Sequence, residues 1–230
     1  MKATLFATTS LIFFGSIAAA QQFEANVGSY SAGSDDTSFY GSLTYSLNGA
    51  SEDGLYVRLA GVQSNYNYDF GGEVDGTNRQ AAAIVGYQAV MGSESFKAGV
   101  GYVTEQVTES GGLADVDDSY DGVYAEGVLS FSSPDYRSMT LVEYREPRST
   151  VYVQADLLYG LSDNIYVGAV GSVFDQDEFR DVRFGLKAEF DLGAGDNTIL
   201  SVTATTGERT VGSDPTEDST AFSLNIYQRF

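Results

Sequence analysis

The sequence predicts an all-β fold, an antiparallel transmembrane β-barrel of about twelve strands, and three observations predict it. Apolar and polar residues alternate through most of the 230 residues, and a strand sends successive side chains to opposite faces. No stretch beyond the N-terminal segment shows a capped helical period. The apolar face is lightly built: in "FKAGVGYV" and "IYVGAVGSV", Gly and Ala separate single large residues. A lipid-facing surface needs apolarity without an interlocking fit, whereas the core of a soluble sandwich needs volume.

The chain begins "MKATLFATTSLIFFGSIAAAQQ", with a positive charge at Lys2, an apolar run from Leu11 to Phe14 and three alanines before Gln21. This is the layout of a secretory signal peptide over residues 1–20, cleaved after Ala20. The alternative, a membrane anchor, needs about 20 apolar residues. Residues 21–230 are expected to form one barrel domain, because no linker, Pro-rich tract or composition break divides them.

The strand at 23–31 is one of the two weakest patterns. In 36–48, Phe39, Leu43, Tyr45 and Leu47 oppose Tyr40, Ser42, Thr44 and Ser46. The strand 54–68 follows the turn "NGASEDG", and 78–91 and 94–108 flank "VMGSES". In 118–132, Val123, Ala125, Leu129 and Phe131 oppose Tyr124, Glu126 and Ser130. The strand 138–145, after "SSPD", is the other weak pattern. In 149–160, Val151, Val153, Ala155, Leu157 and Tyr159 oppose Tyr152, Gln154, Asp156 and Leu158. Strand 163–174 follows "LSDN". In 179–191, Val182, Phe184, Leu186, Ala188 and Phe190 oppose Arg183, Gly185, Lys187 and Glu189. Strand 196–208 follows "GAGDN". The last, 218–230, ends "AFSLNIYQRF", with Phe222, Leu224, Ile226 and Phe230 toward lipid and Ser223, Asn225, Tyr227 and Arg229 inward. Such turn-forming clusters punctuate the chain throughout.

Turn parity supports this count. If the first strand rises from the periplasm, the short turns near 49–53, 92–94, 133–137, 161–163 and 192–196 share one side. The longer acidic loops near 69–77, 109–118, 175–180 and 209–217 share the other, as in outer-membrane barrels. Twelve strands is the self-consistent number, and ten is the alternative. Phe39, Tyr68, Tyr102, Tyr120, Tyr144, Tyr159, Tyr166, Phe174, Phe179 and Phe190 fall near strand ends and are expected to form aromatic girdles.

Composition narrows the chemistry. The formal net charge of -20 leaves no basic patch for nucleic acid. With no His and no Cys, a Ser-His-Asp triad and a thiol nucleophile are excluded. Paired carboxylates could still hydrolyse glycosides, with Glu126 a lumenal acid to test. "DVDD" at Asp115 to Asp118 and "DQDE" at Asp175 to Glu178 lack the twelve-residue calcium-loop pattern. The mid-strand "GAVGS" and "GVGY" lack phosphate-loop spacing and read as barrel packing and curvature. No cofactor, metal site or enzymatic activity is expected. The polar face supplies the candidate lumenal residues: Arg58, Lys97, Glu126, Asp156, Arg183, Lys187 and Glu189, with Tyr56, Tyr124, Tyr152 and Tyr166. Two readings apply to them. In one they cross-link the barrel interior through opposite charges and Tyr–Arg stacking; in the other they line a narrow track for a polar chain such as a glucan.

The stretch "LNGASEDGLYVRLAGVQSNYNYD" resembles the pattern of the cellulose biosynthesis protein BcsS family of proteobacteria. It carries a Leu-Asn-Gly turn (Leu47, Asn48, Gly49), then Asp53 and Gly54, the Val57–Arg58–Leu59 strand, and Tyr66 with Tyr68. "GYQAVMG", with Gly86, Tyr87 and Gln88, is similar to that family's next strand. The resemblance implies an accessory role in bacterial cellulose biosynthesis or secretion, without a chemical mechanism. Its expected partners are outer-membrane lipid, lipopolysaccharide, cellulose synthesis or export components, and a glucan chain. The terminal Phe230 resembles the signal read by the barrel assembly machinery, although Gln228 stands where that signal usually has an apolar residue. The alternatives are a small porin or channel, and a surface barrel that binds lipopolysaccharide or partner proteins.

Overall fold

A computed structural model describes residues 22–33, 36–69, 73–111, 115–177, 179–193, 198–211, 214–215 and 218–230. The expected signal segment 1–20 lies outside them. Twelve strands form the wall: β1 (Phe23–Ala32), β2 (Asp36–Ser46), β3 (Gly54–Asp69), β4 (Glu73–Met91), β5 (Glu94–Gly111), β6 (Val116–Ser132), β7 (Tyr136–Arg145), β8 (Thr150–Ser162), β9 (Ile165–Gln176), β10 (Phe179–Asp191), β11 (Thr198–Val211) and β12 (Ser219–Arg229). Both weakly patterned strands are present, as β1 and β7. A two-residue ladder, Asp214–Pro215, folds back on β11 and is not part of the wall. A single 3-10 turn, Pro147–Ser149, joins β7 to β8. No helix among the described residues is long and apolar enough to cross a membrane.

Each strand pairs antiparallel with its sequence neighbours, and β1 also pairs with β12, from Glu24↔Arg229 to Ala32↔Ala221. The sheet is therefore closed. Closure removes the open edge that hydrocarbon could not solvate. The final residue takes part: Phe230 N donates to Phe23 O at 2.8 Å, and Phe23 N to Phe230 O at 3.4 Å.

The faces are inverted relative to a water-soluble protein. Leu186 is 71% exposed and Phe184 67%, and Leu59, Val100, Leu129, Leu157 and Phe222 are exposed as well. Tyr56 and Glu126, by contrast, are buried inside. This is the geometry of a wall whose outer solvent is lipid.

Two expectations need correction. The acidic segments near 69–77 and 109–118 are mostly paired strand, not loop. Asp69 pairs with Glu73 and Glu109 with Val116, so β3 to β6 run to 16, 19, 18 and 17 residues. A membrane crossing needs about 9–11. The connections at both ends are short, and the ends differ in how far the strands project. The reason is visible in the outward residues, which turn polar at Gln63, Arg79, Thr104 and Asp121 while period two continues. These four strands form a wall above the apolar belt, at what we term the hairpin end. The opposite end, with residues 47–53, 92–93 and 133–135, is the turn end.

The aromatic girdle is the second correction. Phe39, Tyr102, Tyr144 and Tyr159 face outward and are exposed, and Phe190 shares the outward parity. Tyr68, Tyr120, Tyr166, Phe174 and Phe179 have inward parity: Tyr68 bonds Glu109, Tyr166 stacks under Arg137, and Phe179 lies under Arg209. Nearness to a strand end was the wrong criterion, because parity decides the face. Outward pairs at the turn end, Phe23 with Tyr45 (5.0 Å) and Tyr136 with Tyr159 (5.5 Å), supply girdle members.

Candidate functional site

The lumen is built first by apolar filling. Tyr56, Ile84, Val103 and Tyr124, from four consecutive strands, form one buried cluster against Ala82. Glycine makes room for the rings. Tyr56 lies opposite Gly86, where an added Cβ would sit 2.4 Å from the ring and 2.4 Å from Ala98 O. Tyr40 covers Gly28 and Tyr66 covers Gly76 in the same way. Gly86 of "GYQAVMG" and Gly99 of "FKAGVGYV" thus both make room for Tyr56.

Glu126 is the hub above this cluster. It accepts hydrogen bonds from Tyr56 Oη (2.8 Å), Tyr124 Oη (3.3 Å) and Arg58 Nη1. Arg58 stands on β3 and Glu126 on β6, so the ion pair spans two intervening strands. Glu143, the cross-strand neighbour of Glu126, accepts from Arg145 Nη2 at 2.9 Å, and Arg145 Nη1 donates to Gln80 Oε1 at 2.5 Å.

A second network fills the other side. Lys187 Nζ donates to Asp156 Oδ2 at 2.6 Å and lies 2.8 Å from Glu189 Oε1. Arg137 grips Asp191 with two bonds, at 2.8 and 2.7 Å, lies 3.5 Å from Glu189, and sits 3.8 Å above the Tyr166 ring. Such bidentate geometry is what the guanidinium fork favours. At the turn end, Glu24 accepts from Lys97 Nζ and Tyr227 Oη, both at 2.5 Å, with Arg229 3.6 Å away. This clasp ties the first strand to the last and to β5.

The sequence-predicted lumenal residues all have inward parity, and they divide among separate networks. Arg58, Glu126, Tyr56 and Tyr124 meet in the first. Asp156, Lys187, Glu189 and Tyr166 meet in the second, and Lys97 belongs to the clasp. Arg183 stands apart, bonded to Asp181 (3.0 Å) and Ser219 Oγ (2.8 Å) and 5.7 Å from the Tyr30 ring. Tyr152 donates to Gln154 Oε1 at 2.7 Å. Sequence reasoning missed Glu24, Arg137, Glu143, Arg145 and Asp191. Arg137 lay just outside the predicted strand 138–145, and extending period two by one residue would have found it.

Each hub carboxylate of these networks accepts from cations or phenols, and the networks brace the wall. Among the described residues, no three His, Cys, Asp or Glu side chains converge as a metal site would require. Asp115 to Asp118 and Asp175 to Asp177 are included in that statement, and Glu178 lies outside the described residues.

A family model described as cellulose biosynthesis protein BcsS matches residues 27–214. No curated protein matches the chain in sequence. Among solved structures, an outer membrane channel from Pseudomonas putida F1 is similar, with a TM-score of 0.55 and 11% identity over 93% of this chain and 97% of that one. The transport unit of the autotransporter AIDA-I from Escherichia coli has a TM-score of 0.52 and 12% identity, over 96% and 94%. The translocator domain of autotransporter NalP from Neisseria meningitidis has a TM-score of 0.51 and 11% identity, over 93% and 90%. At these identities the structures establish the fold, that of outer-membrane β-barrels.

Proposed function

Because the chain belongs to the cellulose biosynthesis protein BcsS family, we propose that it is a non-enzymatic outer-membrane barrel that supports cellulose biosynthesis or secretion. The family match across 27–214 is the observation that carries this reading. In it, residues 1–20 direct export, the turn end faces the periplasm, and the hairpin end projects outward among lipopolysaccharide. Cellulose synthesis or export components, or the glucan itself, are the partners.

The lumen supports a bracing role over a wide channel. A Tyr–Ile–Val–Tyr cluster and an Arg58–Glu126 pair occupy it, and twelve strands enclose much less space than the sixteen or so of a porin. Glu126, already accepting from three donors, is poorly placed to act as a glycosidase acid. Deleting the gene and measuring cellulose by dye binding tests the role. Reduced or mislocalised cellulose is expected, and unchanged cellulose under inducing conditions overturns it.

Phe230 is proposed as the residue read by the assembly machinery. Removing it lowers the yield of folded barrel in the outer membrane, measured by heat-modifiable gel mobility. Full yield of the truncated chain would remove that role.

A further inference from the structure

Above the apolar belt, the inner wall of β3 to β6 carries groups that the lumenal networks do not use. Tyr66 and Tyr68 stack along β3, with centroids 6.3 Å apart and planes 20° apart. Both phenols donate to Glu109, at 2.8 and 3.1 Å. Burial first, and then the bond to Glu109, raises the Tyr66 phenol above its ordinary pKa, so it stays a neutral donor.

One step toward the turn end, Asn78 Nδ2 donates to Glu105 Oε1 at 2.7 Å. Asn78 Oδ1 and Glu105 Oε2 have no hydrogen-bond partner, although Glu105 is only 2% exposed. Arg148 reaches in from the β7–β8 connection, 3.6 Å from Glu105 and 3.5 Å from Asp177. Two successive left-handed residues, Arg148 (φ 57) and Ser149 (φ 49), present it there. Non-glycine residues adopt that region at a cost.

These groups define a ligand. A tyrosine pair offers broad apolar faces with polar edges, which suits the C–H faces of a pyranose ring. Asn78 Oδ1 and Glu105 Oε2 are buried acceptors without a partner, and the groups that would satisfy them are donors such as sugar hydroxyls. Glu105, Glu109 and Asp177 outweigh Arg148, which disfavours an anionic polysaccharide. A bare Ca²⁺ needs six to eight converging oxygens, and the described carboxylates do not converge.

We infer that Tyr66, Tyr68, Glu109, Asn78, Glu105 and Arg148 form a binding site, at the hairpin-end mouth, for a neutral β-linked glucan chain. The choice of β-glucan rests on the cellulose-linked reading above.

The test is calorimetric titration of the full chain, purified from outer membranes in detergent, with cellohexaose, maltohexaose, hexagalacturonate and CaCl₂ in turn. Cellohexaose is expected to bind more tightly than the other three. Replacing both tyrosines (Tyr66→Ala with Tyr68→Ala) is expected to weaken it at least about tenfold. The paired Tyr66→Phe and Tyr68→Phe variant keeps the ring faces and should lose less. Heat-modifiable mobility verifies that each variant is folded, and the Phe variant serves if the Ala variant is not. Absence of cellohexaose binding, unchanged affinity in the folded Ala variant, a Phe variant that loses as much as the Ala variant, or a preference for hexagalacturonate or Ca²⁺ overturns the site. Absent binding together with cellulose loss on gene deletion would overturn the site alone. Intact binding with unchanged cellulose would overturn the accessory role alone.

Discussion

Arg58→Ala is expected to destabilise the barrel by about 3–5 kcal/mol, the usual cost of removing one partner of a buried ion pair. The Glu126 side chain is 2% exposed and that of Arg58 20%. Without the guanidinium, Glu126 keeps two phenol donors, Tyr56 and Tyr124, and no cation bonded to it. Urea unfolding of the detergent-solubilised protein, followed by tyrosine fluorescence, reads the shift. Adding Glu126→Gln should restore part of the loss, because the charge left without its counterion is then gone as well. The same change should raise ion conductance in planar bilayers, since the pair bridges the lumen from β3 to β6. If Arg58→Ala unfolds with the wild-type midpoint, the pair does not brace the wall.

Leu186→Arg is expected to cost about 2–4 kcal/mol in lipid, the range for a cation at the bilayer midplane of a β-barrel. Leu186 is 71% exposed and central in the outward row Val182, Phe184, Leu186, Ala188 and Phe190 of β10. In a water-soluble protein, so exposed a leucine would tolerate arginine within about 0.5 kcal/mol. Folding equilibria in phospholipid vesicles measure the difference. A neutral Leu186→Arg would mean that this face does not meet hydrocarbon. Asp121 and Arg79 lie outward beyond the apolar belt, so charge exchanges there should be nearly silent in the same assay.

The strands were legible in the sequence because their signal is local. In β10, β8 and β2, side chains two residues apart share a face, and the apolar set names the lipid side without reference to any other strand. The same rule assigned Arg58, Glu126 and Lys187 to the interior. It misled where a local cue replaced parity: Tyr166 and Phe179 lie near strand ends and were expected in the girdle, yet they point inward. It also stopped short in β4 to β6, where acidic composition suggested loops although "EVDGTNR" and "TES" still alternate well enough to pair.

What the sequence by itself determined is the class of the fold, the lipid-facing and lumenal rows, and the family resemblance carried by "LNGASEDGLYVRLAG", while between twelve and ten strands it favoured twelve and the structure decided. What only the tertiary structure decided is which lumenal charges meet. Glu126 finds Arg58 68 positions away, Lys97 finds Glu24 across 73, and Tyr227 reaches Glu24 across 203. Those distances depend on the registers, the closure of β1 onto β12, and the curvature that brings non-adjacent strands face to face. They are properties of the whole cylinder, and a pattern with a period of two residues contains no term for them.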